Sequence, residues 1–132
     1  MIGYVTLGTN DIEAARRFYE ALLAEIGARQ LMQLPDGRGY TMYGRSGREP
    51  MIAVTRPADG NPASVGNGNM IALPMESREQ VNSFHAKALE LGGSDEGAPG
   101  PRGPEDMGFY GAYFRYPDGN KLCAYHITRP AR

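Results

Sequence analysis

Cysteine is almost absent from this chain: Cys123 stands alone among 132 residues. A lone thiol cannot build an internal disulfide framework, which points to a reducing, cytoplasmic setting. Runs of like charge are missing too, with fourteen basic residues against fifteen acidic ones and a formal net charge of −1. That balance lacks the electrostatic footprint of a nucleic-acid or anionic-membrane partner. No apolar stretch approaches the roughly 18 residues a membrane-spanning helix needs. Met1-Ile2-Gly3 leads straight into strand-like sequence rather than into a signal peptide. What the chain has in quantity is turn chemistry, 18 Gly and 10 Pro. Apolar periodicity persists between them, so they punctuate short elements rather than mark disorder. A 41% hydrophobic content over this length suits one globular domain, residues 1–132, with a real core.

The most legible stretch runs from Phe109 to Ile127. Two runs rich in Tyr, Phe, Leu, Ile and Ala flank Pro117-Asp118-Gly119-Asn120, whose residues preset a turn. The expected product is a β-hairpin with strands at 109–116 and 121–127. Alternation puts Cys123 and Tyr125 on one face and Leu122, Ala124 and His126 on the other. On the first strand Tyr113 and Arg115 share a face opposite Phe114 and Tyr116.

Upstream, residues 1–8 alternate as a strand, with Ile2, Tyr4 and Thr6 on one face and Val5 and Leu7 on the other. Asn10 or Asp11 caps a helix over about 11–26, with Glu13 placed as in a capping box. Ile12, Ala15, Tyr19, Leu22, Leu23 and Ile26 recur at helical spacing until Gly27. Three short antiparallel strands follow, at 29–34, 39–43 and 51–55. Residues 1–55 thus read as a βαβββ module. The Pro/Gly/Asn/Ser-rich segment 56–68 reads as a linker, and 69–127 repeats the pattern. A strand at 69–75 leads to a helix over about 77–92, capped by Ser77 with Gln80 three residues on. A weak strand at 94–97, a Pro/Gly-rich loop at 98–107 and the hairpin complete the module. One offset of 66 residues relates Tyr4 to Met70, Val5 to Ile71, Leu7 to Leu73, Asp11 to Ser77, Phe18 to Phe84 and Gly27 to Gly93. Any two amphipathic βα units look alike, but agreement of strand, cap, aromatic and terminal glycine at one offset favours a repeat. The fold class expected is α+β, two βαβββ modules forming a curved mixed sheet with a concave face suited to a ligand.

The opening MIGYVTLGTNDIEAARRFYEALL, the mid-chain GNMIALPM and VNSFHAKALELGG, and the closing GAPGPRG and YFRYPDGNKLCAY together resemble the vicinal oxygen chelate superfamily. This is the glyoxalase / bleomycin resistance protein / extradiol dioxygenase group. The resemblance covers nearly the whole chain. It implies a cup made of paired βαβββ modules, frequent dimerisation, and in many members a divalent metal that chelates adjacent substrate oxygens. It also implies metal ligands at the cup: a His on the first strand of each module and a Glu on the last strand. The counterparts here are Tyr4, Met70 and Cys123. A phenol of ordinary pKa about 10, a neutral thioether and a thiol are poor replacements for imidazole and carboxylate. No metal and no cofactor is therefore expected. His126 falls on the face opposite Cys123, and His85 falls on a helix, so neither restores the set.

The expected ligand-binding residues are Tyr4, Met70, Tyr113, Arg115, Cys123 and Tyr125. Tyr and Met offer flat, polarizable surfaces, and Arg115 faces an anionic or carbonyl-rich group. Met107 and Tyr110 are expected as lid contacts. Cys123 is expected to be inert packing, since no His stands beside it. His85, His126 and the Glu105-Asp106 pair are each better read as packing or exposed charge than as catalysts, and catalytic residues stay unassigned. The leading expectation is a metal-independent binder of a small planar or aromatic molecule, acting as a homodimer without nucleic acid or membrane. The alternative is a lyase, isomerase or dioxygenase-type enzyme on a small oxygenated substrate, with Tyr4 and Arg115 polarising it or a metal held elsewhere. A third is a structural domain using the fold for dimer contacts.

Overall fold

The computed structural model describes residues 1–128. The chain divides into two compact units that meet in sequence between Val65 and Gly66, within the expected linker. Each unit contains one βαβββ module.

The first unit runs β1 (Tyr4–Gly8), α1 (Ile12–Ala24), β2 (Arg29–Gln33), β3 (Thr41–Gly44) and β4 (Met51–Thr55). Its four-stranded sheet has the order β1-β4-β3-β2, with β1 parallel to β4 and the other pairs antiparallel. Asp11, not Asn10, caps α1: its carboxylate accepts from Ala14 N at 3.1 Å. Asn10 Oδ1 instead accepts from Ala63 N at 2.6 Å. At the other end Gly27 takes a positive φ of 78° and Ala28 N donates to Leu23 O at 3.0 Å, closing the helix. Ile12, Ala15, Phe18, Tyr19, Leu22 and Leu23 are buried along one stripe of α1. Arg16 extends the packing with polar bonds, donating to Thr41 Oγ1 at 3.0 Å and Gly39 O at 3.1 Å. Gly39 is required there, because a Cβ would fall 2.5 Å from Ile12 Cγ1 and φ is +77°. Pairing puts Val5, Leu7, Tyr43, Ile52 and Val54 on the α1 face of the sheet. Tyr4, Thr6, Met51, Ala53, Met42 and Met32 lie on the other face.

The second unit runs β5 (Ile71–Pro74), α2 (Arg78–Glu90), β6 (Ser94–Pro101), a short 3-10 turn (Glu105–Met107), β7 (Phe109–Arg115) and β8 (Lys121–Ile127). The order β5-β8-β7-β6 repeats the topology of the first unit. Ser77 caps α2 by accepting from Gln80 N at 3.0 Å, and Gln80 Oε1 returns to Glu76 N at 2.7 Å. Gly92, at φ +105°, closes it, with Gly93 N on Ala88 O at 2.9 Å. Val81, Phe84 and Ala88 of α2 are fully buried, as are Phe114, Leu122 and Ala124. Phe84 and His85 meet Phe114 with ring centroids 6.0 and 6.4 Å apart.

The α+β fold of two βαβββ modules expected from the sequence is present, each module contributing a four-stranded mixed sheet. Two expectations need correction. Residues 98–101 are strand, not loop: β6 runs on through two register shifts, between Asp95 and Gly97 and between Gly97 and Gly100. Glycines tolerate such bulges, and β6 is an edge strand where Pro99 and Pro101 forfeit no inward bond. Finally β5 begins at Ile71, so Met70 stands just before the strand rather than inside it.

Candidate functional site

The face of the second sheet turned away from α2 holds five of the six expected site residues or their immediate approach. Tyr113 pairs with Cys123 across β7 and β8, and Ala72 of β5 pairs with Cys123 on its other side. One step along, Gly111 pairs with Tyr125 and Gly100 with Gly111. In the opposite direction Arg115 pairs with Lys121. Residues directly opposed in a ladder share a face, so Tyr113, Arg115, Cys123 and Tyr125 stand together. Met70 precedes this face at the mouth of β5 and is 44% exposed. Tyr4 belongs to the first unit, on the face away from α1, and is 54% exposed.

Cys123 is fully buried on this face. Burial pushes its thiol up, and the Tyr113 hydroxyl, the Ala112 backbone and the charges of Arg102 and Lys121 only partly oppose that. Burial also pushes the Tyr113 phenol up, with the neighbouring Cys123 adding to it. Both groups are therefore protonated near neutral pH, a donor and packing surface rather than a nucleophile. Arg115 is already engaged, its Nε on Glu96 Oε1 and its Nη1 donating to Gly119 O at 2.7 Å.

Three residues of this face were not singled out from sequence. Phe109 stacks on Tyr125 with centroids 5.6 Å apart and planes 8° from parallel. Arg102 and Lys121 lie over the Tyr113 ring, at 5.4 and 5.5 Å from its centroid. Phe109 shares strand parity with Tyr113, which was a usable signal. On the first sheet, Thr6 shares the face of Tyr4 as alternation predicted, and Met32, Met42 and Met51 join them there without having been singled out.

Other candidates fall elsewhere. Tyr110 is not a lid: it faces α2, donates to Asn82 Oδ1 at 2.7 Å and lies under the Arg78 guanidinium at 4.9 Å. Its even parity with Ala112 and Phe114 explains that. Met107 is 56% exposed on the 3-10 turn that also carries Glu105 and Asp106. His126 lies on the helix side, its Nδ1 3.0 Å from Met75 O. His85 is buried more completely than expected, 5% exposed, with Nε2 3.1 Å from Asp95 Oδ1.

The residues at the positions where the resemblance implies metal ligands do not fit a hard divalent ion. Cys123 carries a thiol raised by burial, Met70 a thioether and Tyr4 a phenol, whereas such a site needs deprotonated or imidazole donors converging on one point. Among the described residues no group of three His, Cys, Asp or Glu side chains is placed to hold a metal ion. No described helix is long and apolar enough to cross a membrane.

A model of the Glyoxalase/Bleomycin resistance protein/Dioxygenase superfamily matches residues 1–124. Among solved structures, a glyoxalase/bleomycin resistance protein from Albidiferax ferrireducens is 36% identical, over 98% of this chain and 99% of its own, with a TM-score of 0.80. A hypothetical protein from S. aureus is 21% identical, over 96% of this chain and 92% of its own, with a TM-score of 0.72. TnmS3, an antibiotic binding protein from a Streptomyces species, is 19% identical over 97% of this chain and 96% of its own, with a TM-score of 0.67. No curated protein matches the chain.

Proposed function

Since the chain belongs to the glyoxalase/bleomycin resistance protein/dioxygenase superfamily, we propose that it binds a small planar or aromatic molecule without the help of a metal ion. The observation that carries this reading is the aromatic face of the second sheet. Tyr113 stands beside the stacked pair Phe109 and Tyr125, on a floor of Cys123, Ala72 and Gly111. Flat rings on one sheet face offer a flat ligand stacking surfaces. Tyr4 and Met70 are proposed as further contacts, and residues 1–132 as one working domain. TnmS3, an antibiotic binding protein, shares the fold and makes sequestration of a planar compound a natural version of this role. The enzymatic alternative draws less support, because Arg115, its intended polarising group, is committed to Glu96 and Gly119. The protein is further proposed to work as a cytoplasmic homodimer with no nucleic-acid partner.

Gently purified protein should carry a small organic ligand in native mass spectrometry, with no stoichiometric metal in the same sample. Calorimetric titration of chelator-treated protein with Zn²⁺, Mn²⁺, Fe²⁺ and Ni²⁺ is expected to give no stoichiometric binding. The variant Tyr4→His/Met70→His/Cys123→Glu restores the family's ligand types for comparison. Tight stoichiometric binding by the unmodified protein, lost on changing Tyr4, Met70 or Cys123, would falsify the metal-free reading.

A further inference from the structure

Among the described residues, two cations on the aromatic face enter no ion pair. The ion pairs of the second unit join Arg115 to Glu96, Lys87 to Glu90 and His85 to Asp95. Arg102 and Lys121 enter none among the described residues, though both lie within 5.5 Å of the Tyr113 ring centroid. Glu96 of β6 is taken by Arg115.

The position of Arg102 is built rather than incidental. Its Nη2 donates to Ala98 O at 2.7 Å and its Nη1 to Pro101 O at 3.1 Å, which fixes the guanidinium plane. It lies against two glycines of β6: a Cβ at Gly97 would stand 3.3 Å from Nη2, and one at Gly100 3.1 Å from Nη1. Neither glycine has a positive φ, so what these positions supply is space. The same Cβ at Gly97 would stand 2.9 Å from the Tyr113 ring. The two carbonyl bonds use two of the five guanidinium N–H groups and leave Nε–H and a second hydrogen on each terminal nitrogen.

We infer that Arg102 and Lys121 form an anion-recognising end of this face, and that its ligand is a flat aromatic carboxylate. The inference rests on the aromatic-ligand reading above and adds the charge of the ligand. A carboxylate set against a pre-oriented guanidinium makes charge-assisted, paired hydrogen bonds, and Lys121 adds a second positive charge beside it. The ring of the same ligand then lies toward Phe109 and Tyr125, whose stacked planes continue the face. Gly111 lets the Phe109 ring settle against the backbone beside Tyr125, since a Cβ there would meet that ring at 2.7 Å.

The test uses the full chain and three probes of one shape and different charge: naphthoate, naphthamide and naphthylmethylammonium, titrated calorimetrically at low and high salt. Naphthoate should bind at least about tenfold more tightly than naphthamide at low salt, and the advantage should shrink as salt screens it. Arg102→Gln and Lys121→Gln should each weaken naphthoate severalfold and leave naphthamide within about twofold, while Lys121→Arg holds both. Gly100→Ala, which displaces Arg102 without removing it, should reproduce the selective loss; thermal melts verify that each variant is folded. Equal affinity for naphthoate and naphthamide overturns the inference and leaves the aromatic-ligand reading standing. So does a naphthoate preference that survives Arg102→Gln/Lys121→Gln. Binding of none of the three probes removes both.

Discussion

Cys123 sits at the centre of the proposed site, yet its chemistry is that of a packed thiol. It is 1% exposed, and burial outweighs the Tyr113 hydroxyl and the two nearby cations in setting its ionisation. Only the thiolate reacts with alkylating agents, so the native protein should react with iodoacetamide far more slowly than its denatured form near neutral pH. Mass spectrometry of timed samples reads the difference, and native labelling at the rate of an unfolded chain would show the thiol to be accessible and ionised. Tyr43 makes a second residue-scale case. Burial and then the charge of Glu20 push its phenol up to about 12, and its buried hydroxyl makes no close hydrogen bond, Glu20 acting on it only at longer range. Removing an unpartnered buried hydroxyl costs little, so Tyr43→Phe should change unfolding free energy by less than about 1 kcal/mol in either direction. A loss above about 2 kcal/mol in denaturant melts would reveal a bond the hydroxyl makes. The sequence exposed these residues unevenly. Strand parity placed Tyr113, Arg115, Cys123 and Tyr125 on one face because β7 and β8 pair without interruption. The same parity, applied to Tyr110, already pointed to α2 rather than to a lid. Arg102 was illegible for a physical reason: it follows a bulged strand, where alternation fails, and reaches the face by side-chain length over two glycines.

At the scale of elements, the two modules solve one problem with different polar fastenings. α1 is tied to its sheet by Arg16, through Thr41 and Gly39. α2 is tied by two side-chain bonds, Tyr110 to Asn82 and His85 to Asp95. The repeat offset predicted both helices to within a few residues, since caps, apolar stripes and closing glycines are local signals. The fastenings are long-range and left no local pattern. Beneath α2, Phe84 is fully buried against Phe114, and Phe84→Ala should cost about 3–5 kcal/mol in a denaturant melt. The Asp95 carboxyl is held below its ordinary value, chiefly by the Gly97 N–H at 2.9 Å and, against some desolvation, by His85. Its folded pKa lies below the unfolded 3.8, so its stabilising contribution is complete above that value and is lost as pH falls through the folded one. The stability gap between the native chain and Asp95→Asn should therefore be open at pH of about 5 and narrow as pH falls below about 4. A gap unchanged by acid would mean that Asp95 contributes nothing through its charge.

Over the whole molecule, apolar side chains remain exposed and sheet edges are defended unequally. β5 and β6, the edges of the second sheet, carry Pro74, Pro99 and Pro101, residues that cannot donate to an added strand. β1 and β2, the edges of the first sheet, carry no proline. Exposed apolar side chains lie on or beside the same edges: Ile2 and Tyr4 at β1, Met32 and Leu34 at β2. A unit whose edges lack proline and carry exposed apolar side chains gains from covering them, and a second copy offers the same surface under a two-fold axis. Sedimentation velocity at micromolar concentration should therefore show a dimer. Introducing charge at Met32, by Met32→Lys, or at Tyr4, by Tyr4→Lys, should shift the population toward monomer, whereas Pro74→Ala should not. Monomer mass for the unmodified chain at every concentration would exclude the homodimer. A dimer indifferent to both lysines would place the interface away from these edges.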